Sequence, residues 1–344
     1  MLGALFAVFS AATFGLNNAV VRRGMVTGTV GQSMAISVPM GVVCFLLLAL
    51  ATGELDRLMH FPPMAAAWMA GFGVLHFVIG RYCNVRANQL AGVNLTAPVV
   101  QLQVIVTLVL AVTLLHEPCS VLQMIGGVLI LVGSLITQWQ PPRPPVAPSV
   151  FKSSEDPDVP LQSALIKPPA PTLFAPRYLA GYLIALVAAV AYGASTVMAR
   201  FALEHTGPAT GILGGFIAYA VATAVAALAL LLPAIRRDVG AIRRENARLF
   251  VLSGILIAAA QGFFFAAISI APVLLVMPLL QTALAFRLLF STWLNRTHEV
   301  FGAFVLAGVV ISISGALMVC IDTDVILNAL AIPEPVASLL RWRI

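Results

Sequence analysis

Two segments of this sequence read alike although 180 residues separate them: ANQLAGVNLTAPVVQ at 87–101 and AISIAPVLLVMPLLQ at 267–281. Ala87, Pro98 and Gln101 of the first fall on Ala267, Pro278 and Gln281 of the second. Towards the N-terminus, Phe14-Gly15-x-Asn17-Asn18 falls on Tyr192-Gly193-x-Ser195-Thr196, and Arg22 on Arg200, 178 residues apart. Towards the C-terminus, His116-Glu117 falls on His298-Glu299, and Gly126 and Gly133 on Gly308 and Gly315, 182 apart. A drift from 178 to 182 is what small loop insertions require. Each match alone is weak, but their order and steady offset make the chain two copies of one unit.

Composition says what the unit is made for. Hydrophobic residues are 60% of the 344, mean hydropathy is +1.01, and only 9% of residues are charged. Soluble domains carry about 25% charge, so a cytosolic enzyme, a secreted module and a disordered chain are excluded. The net charge of +6 does not point to nucleic acid, because the arginines fall between apolar runs and form no basic face with stacking aromatics. Cys44, Cys83, Cys119 and Cys320 are far apart and have no histidine at ligand spacing, so neither a metal site nor a disulfide framework is expected. The first apolar run starts at Met1 without a basic leader, so it is expected to be retained.

A bilayer core of ~30 Å takes ~20 apolar residues per helix. Charge-free runs of that length are Met1–Val21, Gly24–Gly53, Phe61–Gly80, Ala87–Leu115, Pro118–Pro142, Tyr178–Ala199, Thr206–Ile235, Leu249–Phe286 and Val300–Ile321. The eighth is too long for one helix. Ala271-Pro272 divides it into Leu249–Ile270 and Val273–Leu294. The expectation is an all-α integral membrane protein with ten transmembrane helices. Between the fifth and sixth lies Pro141–Pro176, with eleven of the 22 prolines, read as an extended polar spacer. The predicted organisation is a first five-helix repeat at 1–140, a linker at 141–176, a second repeat at 177–321 and a tail at 322–344. Within the tail, Val336–Trp342 reads as an interfacial segment.

Five is odd, so the second copy must enter the membrane from the opposite side to the first. The two five-helix repeats are therefore inverted, an arrangement that puts a substrate site at the midplane between them. The Gly-Leu-Asn-Asn end of helix 1, the Ala-x7-Leu-x2-Pro run into helices 4 and 9, the His-Glu hairpins and the Gly-rich helices 5 and 10 resemble the drug/metabolite transporter superfamily, specifically EamA-type permeases. The resemblance covers both halves but not the linker or tail. It implies export or import of small metabolites without ATP hydrolysis, and the sequence holds no GxxxxGK[ST] loop.

Loop charges alternate. Arg22, Arg23, Arg81, Arg86, Arg143, Lys152, Lys167, Arg177, Arg236, Arg237, Arg243, Arg244, Arg248 and Arg296 fall on one side, against Arg57, Arg200, Arg341 and Arg343. This distribution favours termini outside and the linker in the cytoplasm. The resemblance implies both termini inside.

Polar groups inside lipid are costly and face a cavity or another helix. Gln101 and Gln281, each one turn after a helix-breaking proline (Pro98, Pro278), are the first candidates to bind substrate. Asn17, Asn18, Ser195 and Thr196 form a second symmetric set, with helix–helix hydrogen bonding the alternative. Arg287 and Arg81, whose repeat counterparts are Thr107 and Gln261, could hold a carboxylate or phosphate, or could be bonded to backbone carbonyls instead. His76 is the one mid-helix group titrating near neutrality, so a proton relay and a hydrogen-bonded interior histidine are both open. Tyr192, with Tyr82, Tyr219 and Phe263–Phe265, could shape the cavity. All thirteen acids lie in loops or at helix ends, Glu117 and Glu299 at the starts of helices 5 and 10. Four-helix antiporters resembling this superfamily exchange protons through a buried glutamate in helix 1. Here Asn17 and Asn18 stand there, which disfavours that route.

The expected function is secondary-active or facilitative transport of a small metabolite by alternating access, anionic and similar to an amino or organic acid. The partners are membrane lipid and the substrate, not nucleic acid, and no cofactor is expected. Oligomeric state stays open, a homodimer included, and the inner or plasma membrane is the expected location. The alternatives are an enzyme on lipid-linked substrates, for which only His116-Glu117 and His298-Glu299 offer groups, and a structural membrane subunit.

Overall fold

The computed structural model describes residues 2–342 apart from 26, 92, 139–176, 205, 284, 287–288, 291–302, 321–322 and 330–331. The linker and Arg287 therefore lie outside the described residues. The regular elements are helices: Leu2–Gly24 (α1), Val30–Thr52 (α2), Pro63–Ala91 (α3), Val93–Leu114 (α4), Val121–Gln138 (α5), Tyr178–Leu203 (α6), Pro208–Ala229 (α7), Pro233–Gly240 (α8), Arg244–Ile270 (α9), Val273–Leu280 (α10), Ala303–Cys320 (α11), Thr323–Ala329 (α12) and Glu334–Arg341 (α13). Six of them (α1, α2, α3, α6, α7 and α9) are long and apolar enough to cross a membrane. Shorter apolar stretches lie in α4, α5 and α11, at Pro98–Leu114, Val121–Gly133 and Ala307–Val319.

Local chemistry sets several boundaries. Thr29 and Gln32 close a reciprocal capping box at the start of α2, and Gly53 ends that helix in the left-handed region, at φ 71°. Pro63 and Pro208 stand in the first turns of α3 and α7, where a missing N–H costs nothing.

The third, fourth and ninth spans differ from expectation, the fourth because residues 87–91 belong to α3 and α4 begins at Val93. The third does not stop at Gly80. It continues to Ala91 as one helix containing Arg81 and Arg86, with a π-helical stretch over Gly73–Gly80. The charge-free rule fails because Arg81 turns towards other helices and bonds Ser33 of α2. The ninth was expected to run from Val273 to Leu294, but α10 ends at Leu280, two residues beyond Pro278, and after a turn at Gln281-Thr282 helical conformation resumes at Ala283 and includes Ala285, Phe286, Leu289 and Phe290. At that turn the N–H groups of Gln281 and Thr282 take i−3 carbonyls, and the Thr282 hydroxyl caps Leu279 O at 2.6 Å. These short-range bonds tighten the last turn. Pro98, by contrast, lies within an uninterrupted α4.

The helices pair across the two halves. α1 runs along α9 and touches α10, while α6, its counterpart in the repeat, runs along α3 and touches α4. α2 meets its counterpart α7. α5 and α11 cross through glycines: a Cβ on Gly126 would lie 2.8 Å from Gly315 O, and one on Gly133 2.5 Å from Gly308 O. Small residues let two backbones approach this closely.

Two ends of the molecule are distinguishable. At one, Thr27 bonds Asn246 at 3.1 Å, and Thr29 and Gln32 bond Asp238 at 2.6 and 2.9 Å, joining the α1–α2 loop to α8 and the start of α9. At the other, Glu117 meets Arg200 and the start of α10, and the Val121 N–H donates to Trp342 O. Val336–Trp342, expected at an interface, falls in α13 and the residue after it, beside α5.

Candidate functional site

The polar centre is built around His76, in the π-helical stretch of α3. A π turn adds a residue to the helical repeat and re-aims its side chains, which is why such turns recur at functional sites. Gly73 and Gly80 bracket it because neighbours leave no room for a Cβ: one on Gly73 would sit 2.2 Å from Ala218 O, and one on Gly80 2.8 Å from the Tyr192 ring.

Both ring nitrogens of His76 are engaged. Nδ1 lies 3.0 Å from Ser195 Oγ on α6, and Nε2 lies 3.3 Å from Gln261 Nε2 on α9. The Ser195 hydroxyl already donates to Tyr192 O at 2.8 Å. It must therefore accept from His76, so Nδ1 carries the proton and Nε2 accepts from the Gln261 amide. Gln261 is 1% exposed, and its Oε1 has no hydrogen-bond partner. Aromatic rings hold the imidazole: Phe72 stacks at 4.8 Å, and Phe77 and Tyr192 meet it edge-on at 5.2 and 4.9 Å. Tyr219 stacks on Phe77 at 4.2 Å and fills the space over Gly41, and its buried hydroxyl has no partner.

Arg81 follows His76 by five residues and ten remain to Ala91, about 15 Å of helix. Its side chain is half-buried, and its one hydrogen bond is a long 3.4 Å contact from Nη2 to Ser33 Oγ. His76, Tyr192 and Tyr219 are within its electrostatic reach, and no carboxylate pairs with it among the described residues. The centre thus holds a cation without a counter-ion, an acceptor at Gln261 Oε1 and a donor at Tyr219.

The other expected residues are distributed as follows. Asn17 is buried and accepts from Ser253 on α9 at 2.7 Å, whereas Asn18 is exposed and not brought into this cluster. Thr196 bonds Tyr192 O in its own helix and approaches Met277 Sδ. Gln281 is 7% exposed at the end of α10, and Gln101 is half-buried with Oε1 unpaired. Tyr82 is exposed. Ser195, Tyr192, His76, Gln261 and Arg81 come together; among the described residues no hydrogen bond joins Gln101 or Gln281 to this group.

Sequence reasoning missed Ser33, for which no signal exists, and the role of Glu117. Glu117 does not serve the start of its own helix. Both its oxygens accept N–H bonds of 2.9 Å from Val273 and Leu274, capping α10 in the other half. Burial pushes its carboxyl up from the ordinary value, while those two bonds and Arg200 pull it down. With both oxygens so occupied, it is no free acid–base group beside His116.

Several apolar helices, threaded by a buried polar centre, define a multi-pass membrane protein. Residues 1–139 match the EamA-like transporter family, consistent with an EamA-type permease of the drug/metabolite transporter superfamily. That family suggests a membrane transporter of small molecules. No curated protein matches the chain. Among solved structures 17 chains match. One, a crystal structure of a protein, has a TM-score of 0.67 at 17% identity, covering 92% of this chain and 96% of its own. At that identity the likeness concerns the fold.

Proposed function

We propose that this protein moves a small anionic metabolite across the inner or plasma membrane by alternating access, without ATP hydrolysis. The observation that carries the reading is Arg81: a guanidinium deep in α3, free of any carboxylate among the described residues and bonded only to Ser33. An uncompensated cation among apolar helices is expensive. A carboxylate or phosphate between the helices would supply charge-assisted bonds in compensation. Gln261 Oε1, unpaired and near it through His76, suits a donor on the same substrate.

The moving parts are the two five-helix repeats, 1–140 and 177–321, joined by the linker at 141–176, with ten spans in all. Inversion is supported by the glycine crossing. Gly126 faces Gly315 while Gly133 faces Gly308, the reciprocal pattern a two-fold axis between α5 and α11 generates. The matched pairs α1–α9 and α6–α3 fit the same axis. Substrate would bind near that axis, with Gln101 and Gln281 reaching it as the halves rock.

The test is uptake of radiolabelled carboxylates and phosphates into proteoliposomes. Arg81→Gln should abolish anion flux while the purified protein keeps its melting temperature, and Gln101→Leu with Gln281→Leu should reduce it. Anion flux undiminished by Arg81→Gln, or flux confined to cations, sinks the proposal.

A further inference from the structure

The arginines of the two ends differ in how they are neutralised. At the end holding Glu117, every described arginine has a carboxylate: Arg57 with Glu54 at 3.0 Å, Arg200 with Glu204 at 3.0 Å, and Arg341 with Asp324 at 2.6 Å. At the opposite end, Arg23, Arg236, Arg237, Arg243, Arg244 and Arg248 are all exposed, and none is ion-paired among the described residues. Five of these six lie within 13 residues, on α8, at the turn that follows it and in the first turns of α9.

The platform that carries them is fixed. Asp238, the one acid on α8, is held by the Thr29 hydroxyl and, through its carbonyl, by Gln32, so α8 is pinned against the start of α2. Asp238 bonds α2 and pairs with no arginine among the described residues, while Arg236 and Arg237 are exposed. Just before α8, Leu231 and Leu232 are 78% and 57% exposed at the end of α7. Exposed leucines next to unpaired arginines are the make-up of a surface lying at the boundary between acyl chains and headgroups. Arginine suits phosphate there because its planar fork binds two oxygens at once.

We infer that this end is a docking surface for anionic phospholipid headgroups, which supply the counter-charge that the chain itself supplies at the other end. The anion is that of the bilayer, because the leucines place the arginines at headgroup depth. The inference is independent of what is transported. It also assigns this end to the leaflet richer in anionic lipid, the cytoplasmic one.

Native mass spectrometry of the full chain, exchanged into nanodiscs of phosphatidylcholine with or without phosphatidylglycerol, tests it. The wild type should retain phosphatidylglycerol over phosphatidylcholine, and the preference should weaken with salt. The variant R236Q/R237Q/R243Q/R244Q should lose about tenfold or more of that preference, its lysine counterpart should keep most of it, and Arg57→Gln should change nothing. Should the four-fold variant fail to assemble, R236Q/R237Q carries the same test, since both side chains stand clear of the fold. Equal retention of the two lipids by the wild type overturns the inference. So does a preference unchanged in the glutamine variants, or one displaced by inorganic phosphate.

Discussion

The Arg200 guanidinium, at the end of α6, lies 3.6 Å from the Glu117 carboxylate, in the hairpin between α4 and α5. Both side chains are 8% exposed. Arg200 also donates to Ile268 O, and Glu117 caps the first N–H groups of α10. One ion pair therefore ties the α4–α5 hairpin to α6, α9 and α10 at one end of the molecule. A carboxylate at a helix N-terminus gains from both the free N–H groups and the dipole.

Glu117→Ala should destabilise the protein by about 3–5 kcal/mol, because removing one partner leaves a buried arginine with less compensation and two uncapped N–H groups. Thermal melting in detergent measures it. A loss under about 0.5 kcal/mol, the size of an ordinary surface change, would mean that the pair is not holding the halves together.

The same carboxyl gives a pH dependence. Burial, the largest influence, and then nearby Glu204 raise it above the ordinary 4.5, against the Leu274 and Val273 N–H bonds and Arg200. A carboxyl raised on folding binds its proton first in the folded state. Its contribution to stability thus grows as pH falls through the folded value and levels off below the unfolded one. The melting temperature of wild type relative to Glu117→Gln should shift in the wild type's favour as pH falls from 7 towards 4.5. A shift the other way would show that the bonds outweigh burial.

His116 precedes Glu117 in the left-handed region, at φ 51°. That conformation costs an L-residue about 1–2 kcal/mol, and here it turns the chain so that Glu117 reaches α10. His116→Gly should leave the melting temperature unchanged or higher, while His116→Val should lower stability by about 1 kcal/mol or more. Equal effects of the two would argue against a strained turn.

Adjacent glycines in α5 should respond oppositely. A Cβ on Gly126 meets Gly315 O at 2.8 Å, and the backbone cannot move aside without parting α5 from α11. On Gly127 the nearest atom is Leu108 Cδ1 at 3.6 Å, an ordinary contact. Gly126→Ala should cost about 1–3 kcal/mol, and Gly127→Ala should be neutral or gain up to about 1 kcal/mol from helix propensity. Parallel melting curves settle it, and equal losses at both would refute the close crossing.

Most of the candidate site was legible only as a list of residues. Arg81, Gln261, His76, Ser195 and Tyr192 stood out because polar groups in apolar runs are few, and the repeat paired Arg81 with Gln261. That His76 bridges Ser195 and Gln261 was not legible, since contacts among α3, α6 and α9 span 119 and 185 residues of sequence. The repeat matched Arg200 with Arg22 and Glu117 with Glu299, but gave no sign that Arg200 and Glu117 pair with each other. Counting charges placed Glu117 at its own helix start, because a helix-end acid reads the same whichever helix it caps.

Composition alone determined the solvent and the helical class, because burial in lipid leaves its mark on every residue of a segment. Tertiary structure decided what depends on a single distance. It carried α3 past Gly80, broke the helix after Leu280, took Glu117 to the start of α10 and left Arg81 with no carboxylate among the described residues. Sequence spacing fixes which residues share a helix face, but only packing fixes which faces meet.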